Sequence, residues 1–166
     1  PNHADWDLTD DFTLELFVKH NDHAGDEYYI AGFEGNDDYW HFRHVHGSGL
    51  VYGWRVGGGT ARTVTSGLEI TDTEWHFAQV IKTGTDTEIW LDGVQGAGGS
   101  SVDEDHSLTC NVNIGTLRDA GDEPFDGYID EIRISDTARG TSVPTSQFTS
   151  DANTKLLIHG GEAYTG

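Results

Sequence analysis

The sequence predicts an all-β fold, and three observations predict it. The 166 residues hold 22 Gly, 3 Pro and no Met, a composition that suits short strands joined by glycine-rich turns. Apolar and polar residues alternate over several stretches, clearest in Phe12-Thr13-Leu14-Glu15-Leu16-Phe17-Val18. No long helical period interrupts them. The length suits one domain, residues 1–166, able to bury a core without staples.

The elements follow in order. Residues 1–11 read as a polar lead-in loop, anchored on the core by Trp6. Residues 12–20 form a strand with Phe12, Leu14, Leu16 and Val18 on its buried face and Thr13, Glu15, Phe17 and Lys19 on the other. A polar loop over 21–27 leads to a strand over 28–33, and the acidic run 34–38 reads as an exposed loop. Strands over 39–46 and 50–56 are joined by the turn His46-Gly47-Ser48-Gly49. Aromatics lie on both faces of this hairpin, so alternation does not say which face is core.

Gly57-Gly58-Gly59 turns into a short strand over 60–66. No Lys-Ser or Lys-Thr follows these glycines, which excludes a phosphate loop. Strands over 73–82 and 88–93 make a hairpin about a Thr-Gly-Thr-Asp turn, 94–106 reads as loop, and 107–115 returns to strand. There Cys110 alternates with Leu108, Val112 and Ile114, the pattern of a small core residue. After the loop 118–124 comes the strand Tyr128-Ile129-Asp130-Glu131-Ile132-Arg133-Ile134, then an irregular stretch over 138–151 and a last strand over 155–159. Alternation puts Asp130 on one face with Tyr128, Ile132 and Ile134. A carboxylate among apolar residues must meet backbone N–H groups, a cation or a metal.

With 29 Asp and Glu against 9 Lys and Arg, the formal charge of −20 opposes nucleic acid and anionic membrane surfaces as partners. The lone Cys110 excludes an intrachain disulfide framework and a cysteine zinc site. No 18-residue apolar run or basic targeting segment is present, and the chain reads as a module of a larger protein.

Three pieces in this order carry a resemblance: 11–18, then Glu74-Trp75-His76-Phe77-Ala78 with Ile89-Trp90-Leu91-Asp92-Gly93, then 125–134. Together they resemble the laminin-G-like, concanavalin A-like modules, and the stretch after Ser135 is similar to the tandem modules of phage tail and virion surface proteins. The resemblance implies a two-sheet antiparallel jelly-roll sandwich. It also implies a setting on an extracellular or virion surface, and a structural calcium ion with Asp130 among its ligands. Two departures stand out. Phe17 occupies a position that is usually Trp, and the usual opening strand is missing: either the chain is cut inside a repeat, or the closing strand at 156–159 fills that edge, the reading favoured here.

Sugars stack their C–H faces on aromatic rings while their hydroxyls meet carboxylates, amides and Arg. Tyr39, Trp40, His41, Arg43, Trp54, Arg55 and Trp90 supply such groups, so the expected function is non-catalytic binding of a polysaccharide or cell-surface glycan, as in a tail fibre or adhesin. The alternative is a structural or protein-binding module, a virion decoration or repeat spacer that contacts neighbouring modules or virion proteins. A polysaccharide-degrading enzyme comes third, because a glycosidase needs two carboxylates facing one cleft. Glu15 and Glu131 each lack a carboxylate two residues away, and Asp86 of the pair Asp86 and Glu88 reads as a turn residue. His41, His44 and His46 lack a third zinc ligand at fixed spacing on one face, and no Gly-x-Ser-x-Gly elbow occurs.

Overall fold

The computed structural model describes residues 3–34, 37–97, 99, 106, 108–118 and 123–160. Among them a 3₁₀ turn, Ala4–Trp6, precedes eleven strands. They are β1 (Phe12–His20), β2 (Glu27–Glu34), β3 (Asp38–Val45), β4 (Gly49–Arg55), β5 (Arg62–Thr65), β6 (His76–Thr83), β7 (Asp86–Leu91), β8 (Val94–Gln95), β9 (Asn111–Ile114), β10 (Gly127–Ser135) and β11 (Thr154–Ile158). One sheet has six strands in the order β11-β10-β1-β6-β7-β8, the other five in the order β5-β4-β3-β2-β9, and every pairing is antiparallel. This is the expected two-sheet sandwich, with the closing strand β11 on the edge beside β10.

The core lies between the sheets. Phe12, Leu14, Leu16 and Val18 of β1 meet Ile30, Trp40, Phe42, Leu50, Tyr52 and Trp54 of the opposite sheet. Trp6 packs against its margin as expected, and Leu8 of the lead-in is itself buried there. Cys110 is buried too, and burial pushes its thiol up to about 12.

Several boundaries differ from the sequence reading. A strand, β8, forms inside the stretch read as loop. Of the strand read over 107–115, the described residues 108–115 form strand at β9 alone, with Cys110 joined to His3 by an isolated bridge; residue 107 lies outside the described residues. Asp38 begins β3 as a buried residue and accepts the Gly58 N–H, so the acidic run is not wholly exposed. Asp86 begins β7 and pairs with Thr83 across the turn, which makes it a strand residue.

The largest difference is on β1, whose second face is buried as well. The irregular stretch over 138–151 folds across the outside of the six-stranded sheet. Phe148 joins Phe17 and Phe77 in a second small core, with ring centroids 5.0 to 6.4 Å apart. Beside it Glu15, 2% exposed, takes Arg133 Nε at 2.6 Å and Gln79 Nε2 at 3.0 Å. Alternation marked these residues as outward, and they are; a covering segment then buries them.

A bulge in β10 accounts for the other difference. Its pairing with β1 steps from Glu15↔Arg133 to Phe17↔Asp130, and Glu131 sits at φ 51. One extra residue resets the alternation. Asp130 therefore shares the outer side with Phe17 and not the core side with Ile132 and Ile134. Its Oδ1 accepts the N–H groups of Glu131 and Gly160. Glu131, 1% exposed, accepts the Phe148 N–H at 2.6 Å and meets His159 Nδ1 at 2.7 Å. The two acids of the bulge thus fasten the covering segment and the end of β11.

Candidate binding groove

The outer face of the five-stranded sheet has no such cover among the described residues. On β3, Trp40, Phe42 and His44 point into the core, so Tyr39, His41 and Arg43 point outward. Gly32 permits the inward packing: a Cβ there would stand 2.4 Å from the Trp40 ring. Across β4 the outward partners of Tyr39, His41 and Arg43 are Arg55, Gly53 and Val51. On β2 a bulge between Tyr28 and Ile30 brings Tyr28, Ala31 and Phe33 to the same side, opposite Arg43, His41 and Tyr39.

The result is a groove of about 260 Å³ lined by Tyr28, Phe33, Tyr39, His41, Arg43 and Thr63, with Leu117 and Arg118 from the loop after β9. Its floor is low because His41 lies between small neighbours. A Cβ at Gly53 would stand 2.6 Å from the imidazole, so glycine is what lets the ring lie flat there. Tyr39 stacks on His41 at 5.3 Å and 17°, and Phe33 lies parallel to Tyr39 at 6.4 Å. Tyr28 stands edge-on to His41 at 5.1 Å.

Two guanidinium groups flank these rings. Arg118 lies over Phe33 at 4.4 Å, and Arg43 lies over Tyr28 at 5.1 Å while donating to its hydroxyl at 3.1 Å. Such cation–π contacts orient a guanidinium flat against the ring. Burial, with the positive charge of Arg43 second, drives the His41 imidazole down to about 3, so it is neutral at physiological pH. Among the described residues neither His41 Nδ1 nor Arg43 Nε has a hydrogen-bond partner.

Of the residues expected to touch a glycan, the structure brings Tyr39, His41 and Arg43 together in this groove. Arg55 stands beside Tyr39 but outside the lining, with Nε donating to Gly59 O. Trp40 and Trp54 are 0% and 3% exposed in the core, where they cannot stack on a ligand. Trp90 is on the six-stranded sheet and donates to Glu88 Oε2 at 3.1 Å. The sequence reading missed Tyr28, Phe33, Thr63, Leu117 and Arg118. The bulge at Tyr29 hides that Tyr28 and Phe33, of opposite parity, share a face, and nothing local marks the loop residue Arg118.

The other expected sites are placed as follows. His44 is buried and meets Glu69 at 3.1 Å, His46 is exposed and His41 is on the opposite face of β3, so the three do not converge. At Asp130, Oδ1 faces two N–H donors, while calcium takes six to eight oxygens. Among the described residues no group of three or more His, Cys, Asp or Glu could hold a metal ion, so the side chains around Asp130 do not by themselves fit calcium. A second cavity, about 300 Å³, is lined by Asp5, Asp7, Asp10, Asp11 and Asp136 with Lys155. Asp11 there accepts the Gly84 N–H and Asp136 pairs with Lys155. No helix among the described residues is long and apolar enough to cross a membrane.

A family model described as the concanavalin A-like lectin/glucanases superfamily, of laminin G type, matches residues 1–143. Among similar solved structures is the Ruminococcus gnavus IT-sialidase CBM40 bound to α2,3-sialyllactose. It has 14% identity and a TM-score of 0.64 over 80% of this chain and 79% of that one. Domain 4 of AbnA, a GH43 extracellular arabinanase from Geobacillus stearothermophilus, in complex with arabinotriose, matches at 17% identity and TM-score 0.65, over 80% of this chain and 64% of that one. Domains LG4-5 of the mouse laminin α1 chain match at 16% identity and TM-score 0.63, over 86% of this chain and 40% of theirs. At these identities the likeness is one of fold. No curated protein matches the chain by sequence.

Proposed function

Because this chain belongs to the concanavalin A-like lectin/glucanases superfamily, we propose that it is a non-catalytic glycan-binding module of an extracellular or virion surface protein, such as a tail fibre or adhesin. The observation that carries the reading is the groove: an open, aromatic-walled depression with guanidinium groups at its rim. At about 260 Å³ it is near the lower end of the ~300–1,000 Å³ range of small-molecule pockets, room for one or two sugar rings. Support comes also from two similar solved structures that hold an oligosaccharide.

The test is a glycan array followed by isothermal titration of the best saccharide. Tyr39→Ala removes one stacking wall worth about 1.4 kcal/mol, so affinity should fall about tenfold. Binding to no saccharide on the array would overturn the proposal.

A second reading, a structural or protein-binding module, is favoured by the burial of Trp40 and Trp54 in the core. The enzyme reading would draw on Asp86 and Glu88, both on β7, with Glu88 already accepting the Trp90 N–H. Polysaccharide turnover abolished by Glu88→Gln would revive it.

A further inference from the structure

The groove differs from the rest of the surface in charge. The chain has 29 Asp and Glu, yet no carboxylate occurs among the described residues that line it. What lines it is aromatic rings, the Thr63 hydroxyl, a neutral imidazole and two guanidinium groups. A groove built for neutral sugars needs acceptors for their hydroxyl protons, and carboxylates are the strongest acceptors available. This groove is rich in donors instead.

The state of Arg43 points the same way. Three other cations are closed off by carboxylates at short range: Arg133 on Glu15 at 2.6 Å, Lys155 on Asp136 at 2.7 Å and Arg139 on Asp151 at 2.8 Å. Among the described residues the carboxylates nearest Arg43 are those of Asp26 and Glu123, each 3.9 Å away and beyond hydrogen-bond reach. It is held by the ring and hydroxyl of Tyr28, with Nη1 donating to that hydroxyl and Nε buried. A guanidinium positioned by an aromatic ring presents its remaining N–H groups to a planar or tetrahedral anion.

We infer that the groove takes an acidic saccharide, a sugar ring bearing a carboxylate or a sulfate that Arg43, with Arg118, engages while the ring stacks against Tyr39. This rests on the glycan-binding reading and narrows its ligand class. The net charge of −20 does not forbid it. At physiological salt the Debye length is about 8 Å, so distant carboxylates are screened, and the two inside that range, Asp26 and Glu123, make no hydrogen bond to Arg43 at 3.9 Å.

The experiment is titration of the whole chain, near physiological salt, with matched polymers: polygalacturonate against its methyl ester, and dextran sulfate against dextran. The arms separate carboxylate from sulfate as the anion. The expected result is that one acidic polymer binds at least about tenfold more tightly than its neutral partner. That preference should vanish in Arg43→Gln and shrink in the loop variant Arg118→Gln, each checked for an unchanged unfolding midpoint. Equal affinity for acidic and neutral partners, or a preference intact in both variants, overturns the acidic-ligand inference and leaves glycan binding standing. Binding to none of these polymers, with a neutral glycan bound on the array, also overturns this inference alone; binding to nothing overturns both.

Discussion

The two outer faces of this sandwich carry similar residue types and end in opposite states. On the six-stranded sheet, β1, β6 and β10 present Glu15, Phe17, Phe77, Gln79 and Arg133, an aromatic and ionic surface of the kind that could meet a ligand. The chain covers it with its own segment: Phe148 fills the aromatic part, and Glu131 takes the Phe148 N–H. On the five-stranded sheet Tyr28, Phe33, Tyr39, His41 and Arg43 form an equivalent surface that stays open as a groove. Aromatics beside charge on a strand do not by themselves mark a binding site. What marks one is that a groove stays open over them among the described residues.

Substitutions can separate the two faces. The largest effect is expected on the covered one. Glu15→Ala would leave Arg133 and Gln79 without their buried partner, a loss of about 3–5 kcal/mol. The unfolding midpoint should drop by about 10 °C, with saccharide affinity at lower temperature unchanged. A binding defect without a stability defect would mean that the covered face contacts ligand.

Next comes the floor of the groove. Gly53→Ala puts a methyl group 2.6 Å from the His41 ring and forces it to tilt. Stability should change by about 1 kcal/mol, in the range of an ordinary point substitution. Saccharide affinity should fall about tenfold, as for loss of a stacking wall. Titration beside a denaturant melt checks the split.

A smaller effect separates the groove from the buried polar end of the sandwich. There His20 Nδ1 and Glu27 Oε2 are 3.0 Å apart, both side chains buried. Burial, with Asp126 second, raises Glu27 to about 7; burial, with His44 second, lowers His20 to about 4. For Glu27 the folded value is above the unfolded one, so its stability contribution is complete below about 4.5 and is lost as pH rises through about 7. For His20 the folded value is below the unfolded one, so its contribution is present above about 6.5 and lost as pH falls through about 4. Between those limits the two slopes oppose each other. Unfolding midpoints should therefore be nearly flat in mildly acidic solution and decline on either side. Glu27→Gln should abolish the decline near pH 7, and an unchanged decline there would contradict the assignment.

The smallest expected effect concerns calcium. With Asp130 Oδ1 committed to two backbone N–H groups, calcium and excess chelator at fixed salt should give the same unfolding midpoint. A shift of several degrees that Asp130→Ala removes would restore the calcium expectation.

Much of the fold was legible because alternation is a local signal. Phe12, Leu14, Leu16 and Val18 declared the core face of β1, and Cys110 read correctly as a core residue. Three features were not legible, each for a physical reason. A bulge adds one residue and flips all that follows, which misplaced Asp130 and concealed Tyr28 beside Phe33. The cover joins Phe148 to Phe17, a long-range contact that no local pattern announces. In the hairpin of β3 and β4 both faces are aromatic, and only packing decided that Trp40 and Trp54 go inward while Tyr39, His41 and Arg43 stay out. Three of the seven residues expected at a glycan site therefore line the groove.

The most direct test of the account is a backbone amide chemical-shift titration with the saccharide that binds best. The expected result is a continuous patch of perturbed amides across β2, β3, β4 and β5, centred on Phe33, His41, Gly53 and Thr63. Perturbations confined to β6 and β7 around Trp90, with the groove silent, would contradict it.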